Sequence, residues 1–156
     1  MLAIHPIPAF NDNYIWAIIN NDAKQAIIVD AGDAAPVLDF VQKNNLNICQ
    51  IWVTHHHQDH IGGVAELANI YPNAQIFAHV DIHPLVKAKN LQAAREGSEL
   101  TAWGCPVQVW QVAGHTDNHL AYLLTLEQHL HVFCGDTLFR AGCGRVFTGT
   151  IEQLFE

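Results

Sequence analysis

The sequence predicts a single domain of mixed α/β architecture, and three observations lead there. β-rich runs bracket the chain: "NYIWAII" and "QAIIVD" near its start, then "CPVQVWQV", "HLAYLLTL" and "LHVFCGD" toward its end. Helical patterns are interspersed with them, which favours packed layers of both element types. The 156 residues, half of them hydrophobic, suffice for one sizeable core and are too apolar for a disordered chain.

Taken in order, the first two runs are joined by "NNDAK" and read as a hairpin. "AGD" breaks the second run. "AAPVLDFVQKNN" then places Val37, Leu38, Phe40 and Val41 on one helical face, with Pro36 in the first turn. "NICQIWVT" reads as a strand that is apolar on both faces. "GGVAELANIYP" reads as a short helix between its glycines and Pro72, and "AQIFAH" as a further strand. The segment Asp81 to Leu100 reads as helical and loop-like. Three strands follow, the last two joined by a turn at "EQH". "GTIEQLFE" reads as the first turns of a helix with Thr150 as N-cap. So short a helix is marginal without packing partners, so the pattern looks cut rather than finished.

The formal charge of −8 argues against nucleic acid or an anionic membrane as partner, although bound divalent metals would offset part of it. "MLAIHPIPAF" has no lysine or arginine and carries two prolines, so no secretory signal is expected. No apolar run approaches the roughly 20 residues that span a bilayer. Cys49, Cys105, Cys134 and Cys143 form no CxxC pair, so each is expected to be a small buried hydrophobe in a reduced, cytoplasmic setting.

The chemistry concentrates in "WVTHHHQDHIGG", where four histidines and an aspartate occupy the six positions 55–60. A lone histidine there would read as structural. Imidazoles in H-x-H-x-D-H order beside a carboxylate read as metal ligands. His55 and His57, two apart at a strand end, point to the same side and can meet one ion. Asp59 and His60 follow as the chain turns toward a helix and can converge on a second point. His56 and Gln58 point elsewhere. A catalytic site of this kind wants about three protein ligands, so others must come from later in the chain. "VAGHTDNHLAY" and "VFCGDTLF" place His115 and Asp136 just beyond predicted strands. Asp136 directly follows an apolar run, a poor position for an unpaired carboxylate.

These residues resemble the metallo-β-lactamase superfamily: "THHHQDHIGG" is similar to its T-H-x-H-x-D-H signature, and "GHTDNHLAY" and "GDTLF" to its later motifs, in order and spacing. "NDNYIW", "VDAGDA" and "GDTLFRAGCGRVFTGTIEQLF" resemble one branch, glyoxalase II, the hydroxyacylglutathione hydrolases. The resemblance implies an αββα sandwich, C-terminally incomplete, spanning residues 1–156 as one metal-binding domain. It implies two divalent metal ions, zinc first, with iron or manganese as alternatives. His55, His57 and His115 would hold the first ion. Asp59 and His60 would hold the second, with Asp136 bridging both. It places "GRVF", Arg145, Val146 and Phe147, at the substrate site, with Arg145 and Phe147 against the glutathione part.

The resemblance further implies hydrolysis of S-(2-hydroxyacyl)glutathione to a 2-hydroxy acid and glutathione, by a monomer, with Asp59 as the catalytic residue that orients the attacking water. Ala113 and Asn118 stand where the family commonly has proline and glycine. The family's second metal takes a further histidine from a G-H-E-Y-like motif, and its helical C-terminal domain adds glutathione contacts. Neither occurs in this sequence, as expected of a piece of a longer chain or of a shortened relative. Two rival readings are a mononuclear iron persulfide dioxygenase of the same fold, using His55, His115 and Asp136, and an impaired remnant that only binds metal or glutathione conjugates.

Overall fold

The β-branched and aromatic runs pair into two main sheets. A computed structural model describes residues 1–155. Leu2–Ala9 (β1), Asn13–Asn20 (β2) and Gln25–Val29 (β3) form an antiparallel ladder, which continues in parallel through Asn47–Trp52 (β4), Gln75–Ala78 (β5) and Leu91–Ala93 (β6). The second sheet is antiparallel, in the order His129–Phe133 (β10), Leu120–Leu126 (β9), Cys105–Gln111 (β8) and Glu99–Ala102 (β7). A small hairpin, Leu138–Phe139 (β11) with Gly142–Cys143 (β12), follows. The turn between β9 and β10 is Glu127-Gln128, both at positive φ, the conformation that matches the twist of a two-residue hairpin.

Ala34–Lys43 (α1) starts at Asp33, whose side chain accepts from the Ala35 N–H at 3.0 Å, and it buries Val37 and Val41. Gln58–Ile61 (α2) is a single turn, and Val64–Ile70 (α3) buries Val64 and Leu67. α1 and α3 cover one face of the first sheet through Ile15, Ile28 and Ile51. The other face packs on the second sheet through Ile18, Ile27, Trp52, Tyr122 and Phe133. The first sheet is therefore apolar on both sides, as β3 and β4 read in the sequence. Trp52 stacks on Tyr122 with centroids 5.2 Å apart, and the Tyr122 hydroxyl lies 2.9 Å from Val53 O and 3.0 Å from Phe77 O. That contact ties the sheets together directly beneath the histidine cluster.

Three details differ from expectation. β1 is not among the strands the pattern predicts, because Pro6 and Pro8 read as breakers; it is an edge strand, where proline is tolerated. Segment 81–100 is a 3-10 helix, Val80–Leu85, followed by the short strands β6 and β7. With three and four residues in extended ladder positions, these show too little alternation to register in sequence. "NICQIWVT" leaves the ladder at Trp52, before the histidines. Ile151–Leu154 (α4) forms as expected, with Thr150 and Gln153 in a reciprocal capping box; Glu156 lies outside the described residues.

Candidate metal centre

Beyond β4 the chain stays extended and crosses from one sheet to the other. Thr54 O accepts the Leu120 N–H of β9 at 2.8 Å. Thr54 N–H and Oγ1–H donate to the two oxygens of Asp30, at 2.8 and 2.7 Å. Asp30 directly follows β3 with φ of 54°, a left-handed conformation that aspartate adopts more readily than most residues. The Thr54 proton is committed to Asp30, so the lone pair of Oγ1, 3.0 Å from His55 Nδ1, accepts from that nitrogen. His55 Nε2 is left unprotonated and faces His57 Nδ1 at 3.1 Å.

His115 arrives from the loop between β8 and β9. Its Nδ1–H donates to Arg145 O at 2.6 Å, and its Nε2, a lone-pair donor in the neutral ring, is 3.0 Å from the same His57 Nδ1. Three ring nitrogens thus converge, and at least two of them are bare lone pairs. A divalent cation fits that donor set. The partners on the far sides of the rings, Thr54 and Arg145 O, are the outer hydrogen bonds that fix ligand tautomers.

His60, on α2, lies beneath. Its Nδ1 is 3.0 Å from Asp30 Oδ2; its Nε2 is 3.2 Å from Asp136 Oδ1 and 3.5 Å from Asp59 Oδ2. None of these contacts is aligned as a hydrogen bond, and both buried nitrogens stay without a directed partner. The other oxygen of Asp136, Oδ2, is 3.5 Å from His115 Nε2. One carboxylate therefore reaches a histidine of each set. Asp59 is exposed at the mouth, where Asn13 Nδ2 lies 3.5 Å from Oδ2.

Electrostatics divide the site. Burial, with the neighbouring imidazoles His60 and His119, pushes His55 far below its ordinary range. Burial and His115 lower His57. Burial also opposes a charge on His60, but the Asp30 charge and the Asp136 and Asp59 carboxylates outweigh it and push His60 up to about 12. His60 holds Asp59 below the usual carboxylate range; it does the same for Asp136 against burial. Burial and neighbouring imidazoles thus disfavour charge on His55 and His57, whereas the carboxylates of Asp30, Asp59 and Asp136 gather negative charge around His60.

The structure gathers His55, His57 and His115 into one group of candidate donors and His55, His60 and Asp136 into another; Asp59 belongs to neither group and stands 3.5 Å from His60. Phe147 stands edge-on to His57 and His115, with centroids 5.0 and 5.2 Å away, and its N–H donates to His115 O at 3.0 Å. Val146 lies exposed beside it. Arg145 meets His115 through its main-chain carbonyl, while its side chain is exposed. A cleft of about 710 Å³, whose lining includes Tyr14, Trp16, Phe139 and Arg140, reaches His60 and Asp136. Asp30, Thr54 and His119 belong to the site and were not singled out from sequence. Asp30 follows an apolar strand just as Asp136 does, and the same reasoning about an unpaired carboxylate applies to it.

The metallo-beta-lactamase superfamily profile matches residues 12–151. Hydroxyacylglutathione hydrolase of Neisseria meningitidis serogroup A is 44% identical over 155 residues, covering 99% of this chain and 59% of that protein. Hydroxyacylglutathione hydrolase of Vibrio campbellii is 46% identical over 156 residues, covering 100% of this chain and 59% of its own length. The chain thus spans about 59% of the length of the curated relatives it matches. Among solved structures, the BLEG-1 B3 metallo-beta-lactamase superposes with a TM-score of 0.80 at 22% identity, covering 97% of this chain and 81% of that one. This likeness shows a shared fold. No helix among the described residues is long and apolar enough to cross a membrane.

Proposed function

The chain belongs to the metallo-beta-lactamase superfamily, and from that premise we propose that it is the metal-binding portion of a hydrolase acting on S-(2-hydroxyacyl)glutathione, giving a 2-hydroxy acid such as lactate and glutathione. The observation that carries the reading is the pair of facing ligand sets, with Asp136 reaching one histidine of each at 3.2 and 3.5 Å. The relatives named hydroxyacylglutathione hydrolase support the substrate class.

In this reading His55, His57 and His115 would hold one divalent ion, and Asp59 and His60 a second, with Asp136 as the ligand shared by both sets. Zinc is the first choice and iron or manganese the alternatives, all suited to imidazole and carboxylate. When bound, the ions supply Lewis acidity and a lowered pKa for water. Asp59, exposed at the mouth, accepts a hydrogen bond from the attacking water and orients it toward the thioester carbon. Phe147 walls one side of the first set. Arg145, whose side chain is exposed, pairs with a glutathione carboxylate in bidentate fashion. No side chain has to protonate the leaving group, because a thiol of pKa about 8.5 departs readily as thiolate. The same reading makes the chain a cytoplasmic monomer.

The test is hydrolysis of S-lactoylglutathione by the zinc-loaded chain, with Asp59→Asn alongside. Turnover that falls about 100-fold or more in the folded variant supports the reading. A folded, metal-loaded variant as active as wild type contradicts it, and a folded, metal-loaded wild-type chain without turnover assigns the activity to a longer chain that contains this portion.

A further inference from the structure

His119 is fully buried at the centre of the site, yet neither ligand set uses it. It lies in the same loop as His115, and its ring stacks on His55 with centroids 4.6 Å apart and planes at 17°. Its two nitrogens face opposite kinds of partner. Nδ1 is 3.1 Å from Leu120 O, which can only accept, and Nε2 is 3.3 Å from the main-chain N–H of Asp136, which can only donate. One state of the ring satisfies both: neutral, with the proton on Nδ1 and a lone pair on Nε2.

We propose that His119 is the positioning residue of Asp136: its Nε2 lone pair holds the Asp136 main-chain N–H and thereby sets where that carboxylate stands between the two histidine sets. The proposal rests on the reading of Asp136 as the shared ligand. The Asp136 turn, closed by Thr137 N–H donating to Cys134 O at 3.1 Å, lies flush on this ring. Gly135 sits in it at φ of 48°, and a Cβ there would fall 2.9 Å from His119 Nε2 and 2.4 Å from Thr54 Oγ1. The turn has no room to move inward, and the His119 acceptor keeps it from moving outward. Asp136 has only two side-chain torsions, and its oxygens must reach His60 and His115 together. A main-chain shift of a few tenths of an ångström would therefore cost it one of the two.

Three measurements test this. In the metal-free wild-type protein, long-range proton–nitrogen NMR correlations should show His119 protonated on Nδ1; protonation on Nε2 overturns the proposal. Two variants separate holding from packing. His119→Phe keeps the ring and its stack but has no acceptor, whereas His119→Gln can bring a carbonyl oxygen to the position of Nε2. The Asp136 amide should exchange at least about 10-fold faster in the phenylalanine variant and near the wild-type rate in the glutamine variant. Zinc affinity should fall about 10–100-fold with phenylalanine and largely recover with glutamine. A role in packing alone predicts the reverse order, a tolerated phenylalanine and a damaging glutamine, and that order overturns the proposal. If the phenylalanine variant does not fold, the wild-type tautomer decides. The tautomer and the exchange rates require neither metal nor substrate. A wild-type protein that shows both while Asp59→Asn hydrolyses S-lactoylglutathione as fast as wild type would refute the hydrolase reading and leave the positioning role standing.

Discussion

The Thr54 hydroxyl lies 3.0 Å from His55 Nδ1 while it donates its own proton to Asp30 at 2.7 Å. A buried carboxylate thus sets the tautomer of a histidine it does not touch, and the same carboxylate lies 3.0 Å from His60 Nδ1. One residue directly after β3 faces a histidine of each ligand set, directly or through one hydroxyl.

Replacing Thr54 with valine keeps the shape and removes the relay. Asp30 is then left short of a donor in a buried position, at a cost of about 1–3 kcal/mol. His55 loses the partner that presents Nε2, so zinc affinity should fall about 10–100-fold. Urea unfolding of the metal-free protein and a zinc titration against a chelator measure the two effects. Thr54→Ser should show neither.

Gly32→Ala strikes the other ligand set. A Cβ at Gly32 would stand 1.8 Å from Asp59 O, a main-chain atom that can yield only if the start of α2 moves. Asp59 and His60 should be displaced while His55, His57 and His115 keep their places. Metal analysis after zinc loading should give about one ion per chain in the variant against two in wild type.

Metal should also stabilise the fold. A ligand that binds only the folded state at about 100 times its dissociation constant adds about 2.7 kcal/mol. For a chain of this size that raises the melting temperature by roughly 5–10 °C. Differential scanning calorimetry should show the rise with zinc, its reversal by a chelator, and its loss in His55→Ala.

The cysteines should differ in reactivity. All four are free thiols, and the expectation that each is a buried hydrophobe fails: Cys49, Cys105 and Cys134 are half-buried and Cys143 is exposed. Cys49 packs against the core between the sheets, and burial pushes its thiol up to about 11. At pH 8 its thiolate is scarce, so alkylation of Cys49 should trail that of Cys143 by a factor on the order of 100. Peptide mass spectrometry after timed iodoacetamide treatment measures the ratio.

The strands and helices that carry the core were legible because their apolar patterns run over five or more residues: β2, β3, α1, β4, β8 and β9 all appear where the periodicity puts them. β1 was hidden by its two prolines, and β6 and β7 by their shortness. The ligand cluster was legible because H-x-H-x-D-H packs its donors into six positions, and His115 and Asp136 because each follows a predicted strand. Asp30, Thr54 and His119 were not. They act on the ligands and not on the metal, so their spacing carries no sign of coordination, and only the folded chain brings Asp30 against Thr54 and His119 against Asp136.

The central claim is that this chain gathers two metal ions on two ligand sets that share Asp136. Crystals of the zinc-loaded protein, measured at the zinc absorption edge, would test it most directly. The account predicts two anomalous peaks, one among His55, His57 and His115 and one among Asp59, His60 and Asp136, with the Asp136 carboxylate between them. A map with no peak at the cluster, or with a single peak that leaves Asp59 and His60 unengaged, would contradict it.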